Sequence, residues 1–500
     1  MPFDRLRNSL AGRNTAPVLV FLMAVLLPLL LGLDFRTVAK SSVIPYRLIW
    51  HYFASGSHPP YLITETPKPL ICLLCHLLPH WGFYILVSLS VAFTCRFLGD
   101  LSEHASGRRY YGYLAFIYFI MVYRDSLQDL LNGYYLWIYL ASTLGSLTCL
   151  LRGRLAAYSC LMLASSLIRP ESWMYAAALP FLRLRQKTAW RNPLAWIPLM
   201  APLLWLAFDY RAFGRPFYSM DVTARYSALL GYSPPGVLAY LREMLSGLLS
   251  AVGPAILVSA AACFWLLFFG SARETKPRLL ALAAAALLPL VFYLVAPFFS
   301  EIVFMERFII VPIVLAVLAA FMLPHPLTRK WPPAAKLAPV VFAALFILGF
   351  SPKTPVLAVK NARQELARTA VVEMTAPRLR RYSDSLNAYI IVPHRRKMLI
   401  DYRLGPAYSR NILSFRDIVY NHVFHHVDLS LYHPAAALYI DNDLAGLERG
   451  FQFLANRRVH HLLDYLAMVP LASEPGYAIY SLELVSVWSP PMQLDIMGGE

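Results

Sequence analysis

Outside a few basic clusters, the ionisable side chains of this 500-residue chain are sparse and sit beside long apolar runs. Those that fall in the expected outer segments include Asp34, Glu65, Lys68, Arg124, Asp125, Asp129, Arg169, Glu171, Asp209, Arg211, Arg215, Asp221, Glu301 and Arg307. A carboxylate can deprotonate an attacking hydroxyl. Lysine and arginine can hold a phosphate, and arginine does so through two parallel hydrogen bonds. Acids and cations together suit transfer of a group from a lipid phosphate to a hydroxyl or an amine. In such a reaction cations stabilise the charge that develops on the departing phosphate. The chain has no G-x-x-x-x-G-K-[ST], no G-x-G-x-x-G after a strand, no H-E-x-x-H and no G-x-S-x-G. That argues against an ATPase, a Rossmann-type nucleotide-sugar enzyme, a zinc protease and a serine hydrolase.

The elements that must position these groups are membrane helices. Hydrophobic residues make up 58% of the chain and charged residues 15%, against about 25% charged in an average soluble domain. Runs of about 20 apolar residues match the hydrocarbon thickness of a bilayer. The length rule predicts about eleven spans, near 17–33, 81–98, 109–123, 133–151, 155–169, 171–185, 192–208, 246–270, 278–297, 306–323 and 334–350. The run at 17–33 follows Arg5, Arg7 and Arg13 without a small-residue cleavage site and reads as an uncleaved first span.

A net charge of +17 invites a nucleic-acid partner, but the cations cluster between apolar runs as the positive-inside rule expects. With a cytoplasmic N-terminus, the inner segments hold Arg96, Arg108 and Arg109; Arg152 and Arg154; Arg183, Arg185, Lys187 and Arg191; Arg273, Lys276 and Arg278; and Arg329, Lys330 and Lys336. The acids and remaining arginines then share the outer face, with a first outer loop at 34–80. Ionisable groups at membrane level are costly and read as functional. Residues 41–60, with Tyr46, Trp50, His51, Tyr52 and Phe53, form an aromatic amphipathic stretch suited to the interface. The chain therefore divides into a mainly α membrane domain, 1–350, and a more polar α/β domain, 351–500, placed outside the cell's inner or plasma membrane. Strand-like runs at 388–392 and 437–441 alternate in that tail with helical stretches such as 443–457.

Of the six cysteines, Cys72 and Cys75 form a C-x-x-C in an apolar helical context, where packing outweighs redox chemistry. His422, His425, His426, His460 and His461 lack the cysteine or spaced carboxylate of a recognisable metal-ligand pattern.

Four stretches carry a resemblance. Leu167-Ile-Arg-Pro-Glu171-Ser-Trp resembles the R-P-E-G junction, and the segment from Phe208 to Tyr226 is similar to the Y-G-x-x-x-P-N-T-x-x-A-K segment, of the GT-C superfamily of polyprenyl-phosphate-sugar-dependent glycosyltransferases in its bacterial form. Met305-Glu-Arg307-Phe-Ile-Ile-Val-Pro312 looks like R-Y-x-x-P, and Glu65-Thr-Pro-Lys68-Pro69-Leu70 sits where members carry a Pro-Leu turn into an apolar helix. The likeness spans roughly residues 15–350. It implies a GT-C fold, an inverting transfer and a polyprenyl-phosphate-linked sugar donor. The acceptor would be a glycan, lipid or protein hydroxyl.

Members of the nearer group carry an acidic pair about a dozen residues ahead of a glycine in the first outer loop. Counting back from Gly56, this chain has Lys40-Ser41-Ser42 there. Other branches place the catalytic acid directly after the first span, where Asp34 stands. The resemblance thus implies Asp34 as base, with Glu65 second. Lys68, Arg124, Arg169, Arg215 and Arg307 form the pool of donor-phosphate contacts, supported by Glu171, Asp125, Asp221 and Glu301. It names no firm cofactor and no metal ligand, and leaves room for a divalent cation at the acid cluster because some members use one. Two rivals stand beside it: a non-catalytic lipid transporter or flippase, and an inactive GT-C relative acting as an assembly subunit. A transporter would place ionisable groups along a path through the midplane, often in repeated halves, and the chain has no internal repeat.

Overall fold

The computed structural model of the protein describes residues 14–33, 39–58, 66–182, 191–219, 221, 237–270, 276–295, 309–330, 338–349, 353–386, 390–392, 397–405, 408, 412–414, 437–441, 466–474 and 477–484. The chain divides into two compact units, Met1–His58 with Thr66–Leu366, and Pro59–Glu65 with Ala367–Glu500.

The first unit is helical, as it must be where no water is present to satisfy backbone N–H and C=O groups. Its elements begin with α1 (Thr15–Leu30), α2 (Lys40–Ser55), α3 (Pro69–Leu77) and α4 (His80–Ser106). There follow α5 (Tyr110–Val122), α6 (Arg124–Leu131), α7 (Leu136–Leu151), α8 (Leu155–Ser166) and α9 (Ser172–Leu182). A 3-10 segment, Pro193–Met200, runs into α10 (Ala201–Phe213). Then come α11 (Val237–Val252), α12 (Pro254–Gly270), α13 (Lys276–Val295), α14 (Ile310–Met322), α15 (Pro324–Lys330) and α16 (Ala338–Gly349), and the long α17 (Lys353–Leu386) belongs to this unit as far as Leu366 and to the second from Ala367.

Among the described residues, three helical stretches are long and apolar enough to cross a membrane: His80–Ser106, Pro193–Phe213 and Ile310–Leu327. Counting each bent pair of helices as one span raises this to six. The sequence expectation of about eleven is larger because it also counts apolar helices under 18 residues, such as Thr15–Leu30, Tyr110–Val122 and Leu155–Ser166. The expected span at 246–270 is instead divided at Gly253, which has φ 78° and separates α11 from α12.

Close approach at one helix end is secured by charge. Asp100 is buried in α4 and meets Arg152 at 2.9 Å and Arg109 at 3.4 Å, while Glu103 meets Arg109 at 2.6 Å. Two arginines of the basic segments therefore have carboxylate partners, which a count of cations alone overlooks. The lattice ties the C-terminal end of α4 to the starts and ends of α5 and α7. Gly112 lets α5 lie directly on the backbone of Leu98 and Gly99.

The opposite end positions the candidate site. Tyr84, early in α4, donates to the Ala24 carbonyl late in α1 at 2.8 Å. α2 docks by its N-terminus on the corner between α6 and α7, where the two helices bend by 111°. Ser42 donates to the Asn132 carbonyl at 2.9 Å. Ala39 is buried in the left-handed region at φ 66°, and a β-carbon at Gly133 would lie 2.5 Å from that of Ala39. Arg47 donates to the carbonyls of Cys75 and Leu78, both at 2.6 Å, closing the C-terminus of α3, whose last carbonyls have no helical partner. Cys72 and Cys75 are free and fully buried.

In the second unit the described residues include β1 (Ile390–Ile391), α18 (Lys397–Leu404), β2 (Ile412–Leu413), β3 (Ala437–Asp441), β4 (Leu466–Glu474) and β5 (Tyr477–Leu484). The strands form one sheet in the order β2-β1-β3-β5-β4. β1 is parallel to both β2 and β3, and β5 is antiparallel to β3 and β4. The helical stretch expected at 443–457 and the five histidines of this region lie outside the described residues.

Gly133 has φ 62° and no room, whereas Gly107 has φ 73° and open space around it. Gly107→Ala should lose the left-handed backbone cost alone, about 1–2 kcal/mol. Gly133→Ala should lose a further ~1–3 kcal/mol from overpacking against Ala39. Thermal unfolding of the two purified variants in detergent compares them, and equal losses would show that the Ala39 contact contributes nothing.

Candidate functional site

The site grows from the break between α8 and α9. Pro170 has no N–H to donate and so disfavours continuation of a helix. The chain turns there with Arg169 N–H on the Ser165 carbonyl (2.9 Å) and Ser172 N–H on the Arg169 carbonyl (3.1 Å). Arg169 and Glu171 thereby face one another inside the bundle, 4% and 3% exposed. Their contact is two-pronged: Nη2 to Oε1 at 2.6 Å and Nε to Oε2 at 3.2 Å. Tyr293, near the end of α13, donates its hydroxyl to the same Oε1. The guanidinium lies over the Tyr139 ring, 5.3 Å from its centroid.

A run of hydroxyls seats the break. Thr143 donates to the Tyr139 carbonyl at 2.8 Å, and Thr143–Ser165 and Ser165–Ser172 are each 2.6 Å apart. Because the proton of Thr143 is committed, Ser165 donates to Thr143 and Ser172 to Ser165. Buried polar groups in an apolar bundle require such closure.

Lys68 converges on this place. The backbone joins the two turns directly, with Leu70 N–H on the Leu167 carbonyl at 3.4 Å. Pro69 opens α3, a favoured first helical position. Lys68 just before it is 7% exposed and bonds the Thr66 carbonyl at 2.9 Å. Its ammonium stands 4.9 Å from the Tyr135 ring and 5.7 Å from the Tyr46 ring. Among the described residues no carboxylate pairs with it. Two buried cations, Lys68 and Arg169, thus stand on turns whose backbones bond to one another.

A second cluster adjoins the first. Trp173 packs edge-on against Trp205, 6.0 Å between centroids. Trp205 Nε1 donates to Ser219 Oγ at 3.2 Å, and buried Asp209 accepts both the N–H of Ser219 (2.8 Å) and its hydroxyl (2.7 Å). This clasp folds the chain after α10 back on the helix that precedes it.

Of the residues expected from sequence, Lys68, Arg169 and Glu171 are brought together. Arg215 is exposed on the turn after α10, and Asp125 and Asp221 are partly exposed. Arg124 begins α6, and its side chain is outside the described part. Asp34, Glu65, Glu301 and Arg307 lie outside the described residues. The described residues flanking Asp34 are anchored: the Leu31 carbonyl accepts from Arg363 at 2.8 Å, and Leu33 and Ala39 are buried. Among the described residues no group of three or more His, Cys, Asp or Glu side chains converges as a metal site. Sequence reasoning does not single out Tyr46, Tyr135, Tyr139 or Tyr293 as site residues, and with 30 tyrosines in the chain their type carries no signal. Asp209 carries one, as an acid within an apolar helix, but lacks a place among the proposed roles.

No protein-family model matches the chain, and no curated protein matches it by sequence. By structure it is similar to the Archaeoglobus fulgidus oligosaccharyltransferase in its apo form, with a TM-score of 0.55 and 12% identity over 96% of this chain and 75% of that one. It is similar to the same organism's oligosaccharyltransferase AglB in complex with an inhibitory peptide and a dolichol-phosphate, with a TM-score of 0.53, 11% identity and the same coverages. A match to ArnT from Cupriavidus metallidurans in the apo state covers 95% of this chain and 99% of that one at 14% identity, with a TM-score of 0.43, too low to bear weight. The fold of this chain is therefore like that of these archaeal oligosaccharyltransferases.

Removing one partner of a buried ion pair leaves an uncompensated charge, a loss of about 3–5 kcal/mol. Arg169→Met and Glu171→Leu should each destabilise the protein on that scale, and the double variant should recover part of the loss. Denaturant unfolding of all three tests this. Additive losses in the double variant would mean that the two groups do not stabilise one another.

Proposed function

We propose that the chain is a membrane glycosyltransferase that moves a sugar from a polyprenyl-phosphate donor to a hydroxyl of a glycan, lipid or protein acceptor. The observation that carries this reading is the burial of two cations, Lys68 and Arg169, on turns whose backbones bond to one another, at one end of a bundle with the GT-C fold. Buried cations in a low-dielectric site favour an anion far more than they would in water, and a phosphate is the anion that a lipid-linked donor brings. The dolichol-phosphate in the AglB complex is a ligand of this chemical class.

In this reading Asp34, or failing it Glu65, removes the proton of the acceptor hydroxyl. The oxygen attacks the anomeric carbon from the face opposite the phosphate, inverting it, and the carbon–oxygen bond to the polyprenyl phosphate breaks. Lys68 receives the charge that develops on the departing phosphate. Arg169, already held by Glu171, supplies field and position more than a free hydrogen-bonding fork. Of the expected pool, Arg124 and Arg307 join these cations, while Arg215, exposed on the turn after α10, is assigned elsewhere; a divalent ion at the acids would strengthen the same effect. The cationic segments face the cytoplasm with the N-terminus, the site faces the outer side of the inner or plasma membrane, and the C-terminal α/β domain lies on that outer side and helps to select the acceptor.

Purified protein supplied with polyprenyl-phosphate sugars should release polyprenyl phosphate. Lys68→Met should slow release about 10²–10³-fold, the scale of one lost electrostatic stabiliser of developing charge. Asp34→Asn should abolish release if Asp34 is the base, with Glu65→Gln comparatively mild, and the opposite pattern assigns Glu65. An absence of release with every donor tried would favour the transporter or the inactive subunit.

A further inference from the structure

The C-termini of α2 and α10 interlock through their glycines. Gly56 ends α2 at φ 67°, and a β-carbon there would lie 2.7 Å from Nη1 of Arg211 and 2.9 Å from its Cζ. Gly214 ends α10 at φ 72°, and a β-carbon there would lie 3.1 Å from Nε2 of His58. Each helix end therefore receives a cationic or titratable side chain from the other's neighbourhood. Nδ1 of His58 faces the Ala212 carbonyl at 3.3 Å. Arg215 follows Gly214 directly in the chain. His58, Arg211 and Arg215 are all exposed, and among the described residues no carboxylate pairs with either arginine.

Charge and shape both speak for a ligand. Each helix C-terminus carries roughly half a negative charge, so two of them offset about one of the two arginines and leave about one positive charge. The neighbouring surface is apolar and outward-facing: Leu203 is 58% exposed, Leu204 46%, Tyr210 64% and Phe217 56%. Leu203 and Tyr210 lie seven residues apart, as do Leu204 and Arg211, so they share faces of α10. An apolar helix face that runs into exposed arginines and aromatic rings has the profile of an acyl chain ending in an anionic headgroup.

We infer that His58, Arg211 and Arg215 form a docking surface for the phosphate headgroup of an anionic bilayer lipid, with the outward face of α10 covered by its acyl chains. This surface differs from the Lys68–Arg169 set, where the cations are buried and caged by tyrosines, and it does not depend on the transfer reaction.

Native mass spectrometry of the full chain, titrated in detergent with phosphatidylglycerol and separately with phosphatidylcholine, tests it. Each cation near an anionic surface contributes about fivefold in affinity. With about one net positive charge left, the wild type should prefer phosphatidylglycerol about fivefold. R211Q/R215Q should bring the two lipids to within about twofold, while R96Q/R154Q, which removes the same charge elsewhere, should keep the preference. Equal binding of both lipids by the wild type would overturn the proposal. So would a preference that survives in R211Q/R215Q or is lost equally in R96Q/R154Q. Displacement of phosphatidylglycerol by millimolar inorganic phosphate would transfer the site to a free anion. Displacement by equimolar polyprenyl phosphate would transfer it to the donor carrier. Either result sinks the bilayer-lipid assignment.

Discussion

The constraint on which the described helical unit turns is the placement of Arg169 against Glu171 inside an apolar bundle. Removing two such charges from water costs several kcal/mol per ion, and attraction between them repays this only when geometry is good and remaining lone pairs are satisfied. The surroundings meet both conditions. The pair is two-pronged, Tyr293 takes a further position on the carboxylate, and the Tyr139 ring faces the guanidinium. These partners come from α7, α13 and the turn itself, so the pair fixes the relative placement of elements far apart in sequence. A hydrophobic substitute of equal volume would pack there at less cost, but it would give Pro170 no directional partner and Lys68 no companion cation.

The same economy of position governs the chain around the pair. The backbone contact between Leu70 and Leu167 sets two proline turns side by side, and each turn leaves one cation facing inward. Ala39 on Gly133 and Ser42 on Asn132 bring α2 to the corner from which Tyr135 projects, so Tyr46 and Tyr135 meet edge to face at 5.8 Å. Lys68 rests in the angle between them. Tyrosine suits that role because its ring face attracts a cation while adding no negative charge that would neutralise it. A carboxylate in the same place would turn the site into a closed ion pair.

How far this was legible in the sequence depends on the kind of signal. The R-P-E break is visible, because proline removes a backbone donor and ionisable residues between two apolar runs are rare, although Pro28, Pro180 and Pro289 sit inside helices. The Pro69-Leu70 turn is visible for the same reason. Most apolar runs coincide with helices, including Thr15–Leu30, Tyr110–Val122 and Ile310–Met322. Their number as membrane crossings is not visible, since hydropathy cannot separate a short crossing helix from half of a bent one. The strand at 437–441 is legible from its alternation and appears as β3. The tyrosines are illegible, because a cage is a tertiary fact: Tyr46 lies in α2, Tyr135 and Tyr139 at the start of α7, and they differ from other tyrosines only in where the bundle brings them. Asp100 is the opposite case. It is plain in the sequence, but its meaning as the partner of Arg109 and Arg152 emerges only once α4, α5 and α7 are adjacent.

Arginines of three kinds follow from burial alone. Arg109 and Arg152 bind acids at one end of the bundle and hold helices together. Arg169 binds an acid at the other end and is withdrawn from solvent. Arg211 and Arg215 are exposed, without a carboxylate partner among the described residues, and rest beside apolar side chains that face outward. A screened, exposed charge contributes little to folding, so nothing in the fold's stability requires this last kind. Their retention of an open positive field beside an apolar surface makes sense when the surrounding medium supplies the counter-charge, and for a chain of this composition that medium is a lipid bilayer.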